Sequence, residues 1–221
     1  MIYTNMNISR ELNHLFLTPV GKIQFDKSHD WQKHSDLVYS TLTEENVAAM
    51  YKIGVTPTSD DLHKREEFAE LVKLVDNEAQ EFFKLEFGLE PDDLYMSCMW
   101  ANVQIDGCRH HAHVHPNSFF SGVIYLEMPD GPEVDPGMIF FVDPRPAKLM
   151  QQADYKKYNV LSDRSYGFKP QVGLMLIFPS WLEHGTDVCR IGLGNRRVSI
   201  SFNYVLTQSS GETMKMKHRP I

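Results

Sequence analysis

Apolar residues in EEFAELVKLVDNEAQEFFKLEFG, residues 66–88, return every three or four positions: Phe68, Leu71, Val72, Val75, Ala79, Phe82 and Phe83. That period places them on one face of a helix, and Gly88 supplies the stop. From Leu94 the pattern changes. Short runs of aromatic and β-branched residues follow one another (LYMSCMWANVQI, FFSGVIYLE, GMIFFV, VGLMLIF and RVSISFNYV), with turn-forming clusters such as MPDGPEVDPG and DPRP between them. Successive strands without intervening helices predict an antiparallel sandwich or small barrel rather than an α/β sheet. The expected fold class is mainly β with N-terminal helices. A helix-rich part, 1–93, packs on a β core, 94–206, followed by a tail, 207–221, all within one domain, because no repeat or linker interrupts the chain. Residues 147–168 are weakly periodic and predict a long loop of the kind that covers a site on a barrel.

Composition narrows the function classes. A chain of 221 residues suits one domain of the β-barrel size class, and a net charge of −7 leaves no electrostatic footprint for nucleic acid or an anionic membrane. No apolar run is long enough to span a bilayer, and the N-terminus lacks the order of a signal peptide. The cysteines Cys98, Cys108 and Cys189 are odd in number and have no CxxC spacing, so neither a disulfide framework nor a zinc ribbon is expected. A reducing cytoplasm is the expected compartment. The oligomeric state is not legible, a homodimer being one option.

The chemistry concentrates in HHAHVHPNS, residues 110–118. On an extended segment His111, His113 and His115 share one face and His110 lies opposite. Imidazoles at i and i+2 can grip one metal ion from adjacent corners, and Fe, Zn, Cu and Ni all accept them. Downstream, GLMLIFPSWLEHG runs a strand into a turn and delivers His184 at its exit. Two histidines from one segment and a third from a distant strand make a facial set with open positions for substrate and dioxygen. In NRRVSISFNYV, alternation puts Arg197, Ser199, Ser201 and Asn203 on one face and Val198, Ile200, Phe202 and Tyr204 on the other. If the polar face lines a cavity, Arg197 can fork onto a carboxylate with Ser199 assisting, which suits capture of a dianionic cosubstrate.

The ordered blocks HVHPNSFFSGVIYL, GMIFFVDPR, PQVGLMLIFPSWLEHG and RVSISFN resemble the Fe(II)/2-oxoglutarate oxygenase family of bacteria and phages, over roughly residues 100–204. The block order also parallels prolyl hydroxylases. The resemblance implies a double-stranded β-helix (jelly-roll, cupin-like) core. It implies Fe(II) bound by His113, His115 and His184, and 2-oxoglutarate bound by Arg197 with Ser199, Asn102 adding a hydrogen bond. It further implies hydroxylation of a C–H bond in a small-molecule or peptidyl substrate, with release of succinate and CO2. Asp143 and Arg145 match the family pattern without a derivable role. One departure stands out: His115 occupies the slot where this superfamily usually has Asp or Glu. His115 is then either a third ligand or a group behind the ligands, and a register using His111 and His113 is a further option. Two other classes compete: a cupin-type three-histidine dioxygenase that needs no 2-oxoglutarate, and a non-enzymatic module keeping a vestigial metal site. Arg197 and Ser199 discriminate, since a cupin has no need of an arginine on that strand.

Overall fold

The helix predicted from the 3.6-residue period is α3, Ala69–Phe87, which buries Leu71, Val75, Ala79 and Phe83. Gly88 ends it in the left-handed conformation (φ 64°), and its N–H reaches back to Lys84 O at 3.1 Å. Phe68 is buried just before the helix, in a 3₁₀ turn, while Val72 and Phe82 lie only partly buried at the edge of the stripe. Two further helices precede it: α1, Trp31–Ser40, whose cap Asp30 accepts from Lys33 N–H, and α2, Glu44–Ile53. The computed structural model describes residues 16–53, 55–145, 156 and 163–207.

Among the described residues nine strands form two antiparallel sheets: β1 Gly21–Gln24, β2 Val55–Pro57, β3 Leu94–Gln104, β4 Phe120–Glu127, β5 Ile139–Val142, β6 Ser165–Phe168, β7 Leu174–Pro179, β8 His184–Thr186 and β9 Arg197–Leu206. The larger sheet has the order β1-β7-β4-β9-β3-β2 and the smaller β6-β5-β8. Alternation in β9 decides which face of the larger sheet does what. Val198, Ile200, Phe202 and Tyr204 join the cluster shared with the helices, where Phe83 stacks on Phe120 at 4.5 Å. The other face meets the smaller sheet through Val123, Tyr125, Leu174, Leu176 and Phe178 against Ile139 and Phe141. The polar set of β9 therefore points between the sheets, not into solvent.

Three elements differ from the sequence reading. β1 and β2 come from the helix-rich part and extend the large sheet at its two edges. Each has at most four residues, too short a run for a period of two to register. β6 lies inside the expected 147–168 loop and pairs with β5. Of that loop, residues 147–155 and 157–162 lie outside the described residues, as does the tail from Gln208. No helix among the described residues is long and apolar enough to cross a membrane.

Candidate active site

The histidine segment is not a regular strand, yet it docks on one. His113 N–H donates to His184 O (2.9 Å) and His184 N–H returns to His113 O (3.0 Å), while Thr186 N–H donates to His110 O (3.0 Å). This pairing lays residues 110–113 along β8, sets His113 directly opposite His184, and is continued by His115 N–H donating to Ser180 O (3.0 Å). Pro116 and Asn117, the latter at φ 64°, then turn the chain into β4. The irregular backbone changes which imidazoles face inward. His113, His115 and His184 bring their ring nitrogens within 4.8 Å of one another. His111 stays outside this group and is exposed. His110, expected on the opposite face, lines the cleft together with the three.

Each of the three rings is held by its Nδ1. His113 Nδ1 donates to His111 O (2.7 Å), His184 Nδ1 to Leu182 O (2.9 Å) and His115 Nδ1 to Asn203 Oδ1 (2.8 Å). With the proton on Nδ1, every Nε2 keeps its lone pair, the tautomer a metal needs. The Nε2 atoms of His113 and His115 stand 3.2 Å apart. Two nitrogens bound at right angles, each about 2.1 Å from one ion, would be separated by about 3.0 Å, so the spacing suits adjacent coordination sites. Asn203 is itself fixed: its Oδ1 also accepts from Ser121 Oγ, which contacts Ser180 Oγ, and its Nδ2 donates to Cys98 Sγ. Burial disfavours the protonated ring of His184, His110 and His115. It pushes His184 down to about 3 and, with Arg197 and His113 adding repulsion, His110 to about 4. His115 moves down for the same reason.

Arg197 forms the other pole of the cleft, only 2% exposed. One terminal nitrogen donates to Pro136 O (2.5 Å) and Gly137 O (3.3 Å), and the guanidinium lies 5.2 Å from the Tyr125 ring. The DPG turn that looked like a strand separator thus forms the floor under the arginine. Gly137 is required there, since at φ 70° a Cβ would stand 2.6 Å from Asp187 O. Arg197 makes no ion pair among the described residues, and its Nε is buried without a hydrogen-bond partner. Directly across the ladder sits Gln104, 2% exposed, whose Nε2 also lacks a partner. A buried cation and a buried amide, each with an N–H lacking an acceptor and both lining one cleft, are groups to which an anion could supply the missing acceptor.

The cleft is open to solvent at one end, and its walls include Trp100, Asn102, Tyr125, Ile139 and Ser199. His113 is exposed while His184 and Arg197 are buried, so His113 stands toward the mouth and the arginine at the depth. Asn102 Nδ2 donates to Ser201 Oγ (3.1 Å) on the cleft face. Asp143 and Arg145 are not among the lining residues. They close their own turn with a two-pronged ion pair at 2.9 and 3.0 Å. Sequence reasoning missed His110, Gln104, Tyr125 and Thr186 in the lining. Inward alternation on β3 and β4 was available for Gln104 and Tyr125, but nothing in the pattern told which strand face the cleft uses.

The comparisons agree with this architecture. Residues 98–203 match the family described as "Putative 2OG-Fe(II) oxygenase". Among solved structures, a 2OG-Fe(II) oxygenase family oxidoreductase from Burkholderia pseudomallei is 17% identical with TM-score 0.55, covering 84% of each chain. A prolyl-4-hydroxylase from Pseudomonas putida is 15% identical with TM-score 0.55, covering 85% of this chain and 92% of its own. HygX from Streptomyces hygroscopicus, solved with nickel, 2-oxoglutarate and hygromycin B, is 12% identical with TM-score 0.57, covering 86% and 84%. No protein among the curated ones matches the sequence. The fold is the double-stranded β-helix.

Proposed function

Residues 98–203 match the 2OG-Fe(II) oxygenase family, and from that premise we propose that the chain is an Fe(II)- and 2-oxoglutarate-dependent oxygenase that hydroxylates a C–H bond. One observation carries the reading: the buried Arg197, which has no ion-pair partner among the described residues, shares a cleft with three convergent imidazole lone pairs. An iron site alone does not call for a buried cation, whereas a cosubstrate with a carboxylate at each end does.

In this reading His113, His115 and His184 hold Fe(II) through Nε2. Three neutral ligands would leave the ion's double positive charge uncompensated; the carboxylate beside the 2-oxo group offsets one unit of it, and the far carboxylate is matched by Arg197. Arg197 receives the far carboxylate, with Arg197 Nε and Gln104 Nε2 donating the bonds that lack acceptors and Ser199 contributing its hydroxyl. Asn102 adds a hydrogen bond on the same face. Bound iron supplies the activation of dioxygen, and the net change converts 2-oxoglutarate, O₂ and R–H into succinate, CO₂ and R–OH. The chain's own part is placement. His111 O, Leu182 O and Asn203 Oδ1 orient the rings, while Tyr125, Ile139 and Phe178 exclude water from the inner cleft. The substrate is a small molecule or a peptidyl side chain entering from the mouth, beside His113.

The test is to incubate Fe(II)-loaded protein with 2-oxoglutarate, oxygen and pools of metabolites or peptides, measuring succinate and product mass. Succinate release that rises with one pool, together with gain of one oxygen atom by a pool member, is expected. Oxygen uptake that is indifferent to 2-oxoglutarate would instead favour the cupin-type reading.

A further inference from the structure

The cysteines were expected to form no framework, and none of the three is bonded. Two of them, 81 residues apart, nevertheless meet: Cys108 Sγ and Cys189 Sγ are 3.1 Å apart. Both are buried, and with Ile191 they form a small apolar cluster separate from the main cores. The backbone holds them face to face. Gly107 N–H donates to Cys189 O (2.8 Å) and Cys189 N–H donates to Cys108 O (2.9 Å), so Gly107 and Cys108 together oppose Cys189 across a bulge. Gly107 has φ 82°, as the glycine form of this bulge requires. Asp106 Oδ1 clamps the partner segment by accepting from Ile191 and Gly192 N–H at 2.7 and 2.8 Å. Residues opposed in this way have Cα atoms within the range a disulfide spans.

We infer that Cys108 and Cys189 are a reversible dithiol modification site, oxidised to an intramolecular disulfide by a hydroperoxide. The geometry sets the order of events. Cys189 S–H donates to Ile105 O (3.0 Å), which leaves its sulfur free to accept from the Cys108 thiol; that second bond holds Cys189 below the usual thiol range, so Cys189 is the thiol that ionises and attacks. The Cys189 thiolate attacks the O–O bond of hydrogen peroxide, forming an S–O bond and expelling hydroxide. Cys108 then loses its proton and attacks that sulfur, forming the S–S bond as the S–O bond breaks and water leaves. Two thiols and one hydrogen peroxide give one disulfide and two waters. Cys98 takes no part, its sulfur accepting from Asn203 Nδ2 on another strand. The bond ties the turn after β3, which leads into the histidine segment, to the connection between β8 and β9.

The experiment is to treat the folded, metal-free protein with hydrogen peroxide, block remaining thiols with an alkylating agent, digest and weigh the peptides. The expected product is a cross-linked Cys108–Cys189 peptide pair short by two hydrogens, with Cys98 alkylated, and dithiothreitol restores three alkylatable thiols. Cys108→Ser and Cys189→Ser should each abolish the pair. The unmutated protein gives a second readout that needs no variant: its Tm should rise on oxidation and fall back on reduction. Three free thiols after peroxide treatment, a pair that includes Cys98, or over-oxidation of Cys189 without cross-linking would overturn the assignment.

Discussion

At the scale of single residues, the site rests on how each ring is held. His184→Ala should abolish iron binding, measured as bound Fe(II) per chain after anaerobic desalting. His115→Asp should retain iron, because a carboxylate also serves at that corner, while His115→Ala should not; equal retention by both would remove His115 from the ligand set. Asn203→Ala leaves all three imidazoles in place but frees Nδ1 of His115; if His115 binds the metal, loss of such a partner should cost about 10–100-fold in metal affinity. Arg197→Met should weaken 2-oxoglutarate far more than iron, as read by titrating each separately. The histidines also set an acid limit. His110 is lowered from 6.5 to about 4, so between those values the unfolded chain binds more protons than the folded one. Stability is then complete above pH 6.5 and drains away as pH falls toward 4, by about 3 kcal/mol for this group. His34, lowered chiefly by burial, shifts stability in the same direction. Urea unfolding of the metal-free protein at a series of pH values reads the slope; stability that is flat from pH 7 to 4.5 would contradict it.

At the scale of elements, close approach between backbones matters more than any one side chain. A Cβ on Gly185 would stand 2.9 Å from His110 O and 3.0 Å from Ala112 N, so the histidine segment can lie on β8 only because that residue is glycine. Gly185→Ala should therefore lower metal affinity although no ligand changes, with the fold retained by circular dichroism. Some of this was legible beforehand. The period of two in β9 correctly separated Arg197, Ser199, Ser201 and Asn203 from their apolar neighbours, and the helical stripe gave α3 its buried face. The facing of His110 was not legible, because the segment docks through scattered bonds to β8 and not through a regular ladder of its own. Nor was the Cys108–Cys189 contact, since a separation of 81 residues leaves no local trace. The arginine's floor at Pro136 and Gly137 was hidden inside an apparent turn.

At the scale of the whole molecule, the jelly roll works as a clamp whose two sheets share one polar cleft under an apolar core. Fold class was readable because a run of strands without intervening helices leaves few architectures; β1 and β2 were not, being edge additions of four and three residues. Ligands that bind only the folded clamp should stabilise it. At a hundred times Kd the gain is about 2.7 kcal/mol, or roughly 5–10 °C in Tm for a chain this size. The central claim, that one cleft joins a three-histidine iron site to a 2-oxoglutarate site ending on Arg197, has a direct optical test. Fe(II) and 2-oxoglutarate are added together without oxygen, and the visible charge-transfer band of the chelate is recorded. A band that needs both additions and that Arg197→Met shifts to much higher 2-oxoglutarate concentration is the predicted result. Iron binding with no such band at any 2-oxoglutarate concentration would contradict the account.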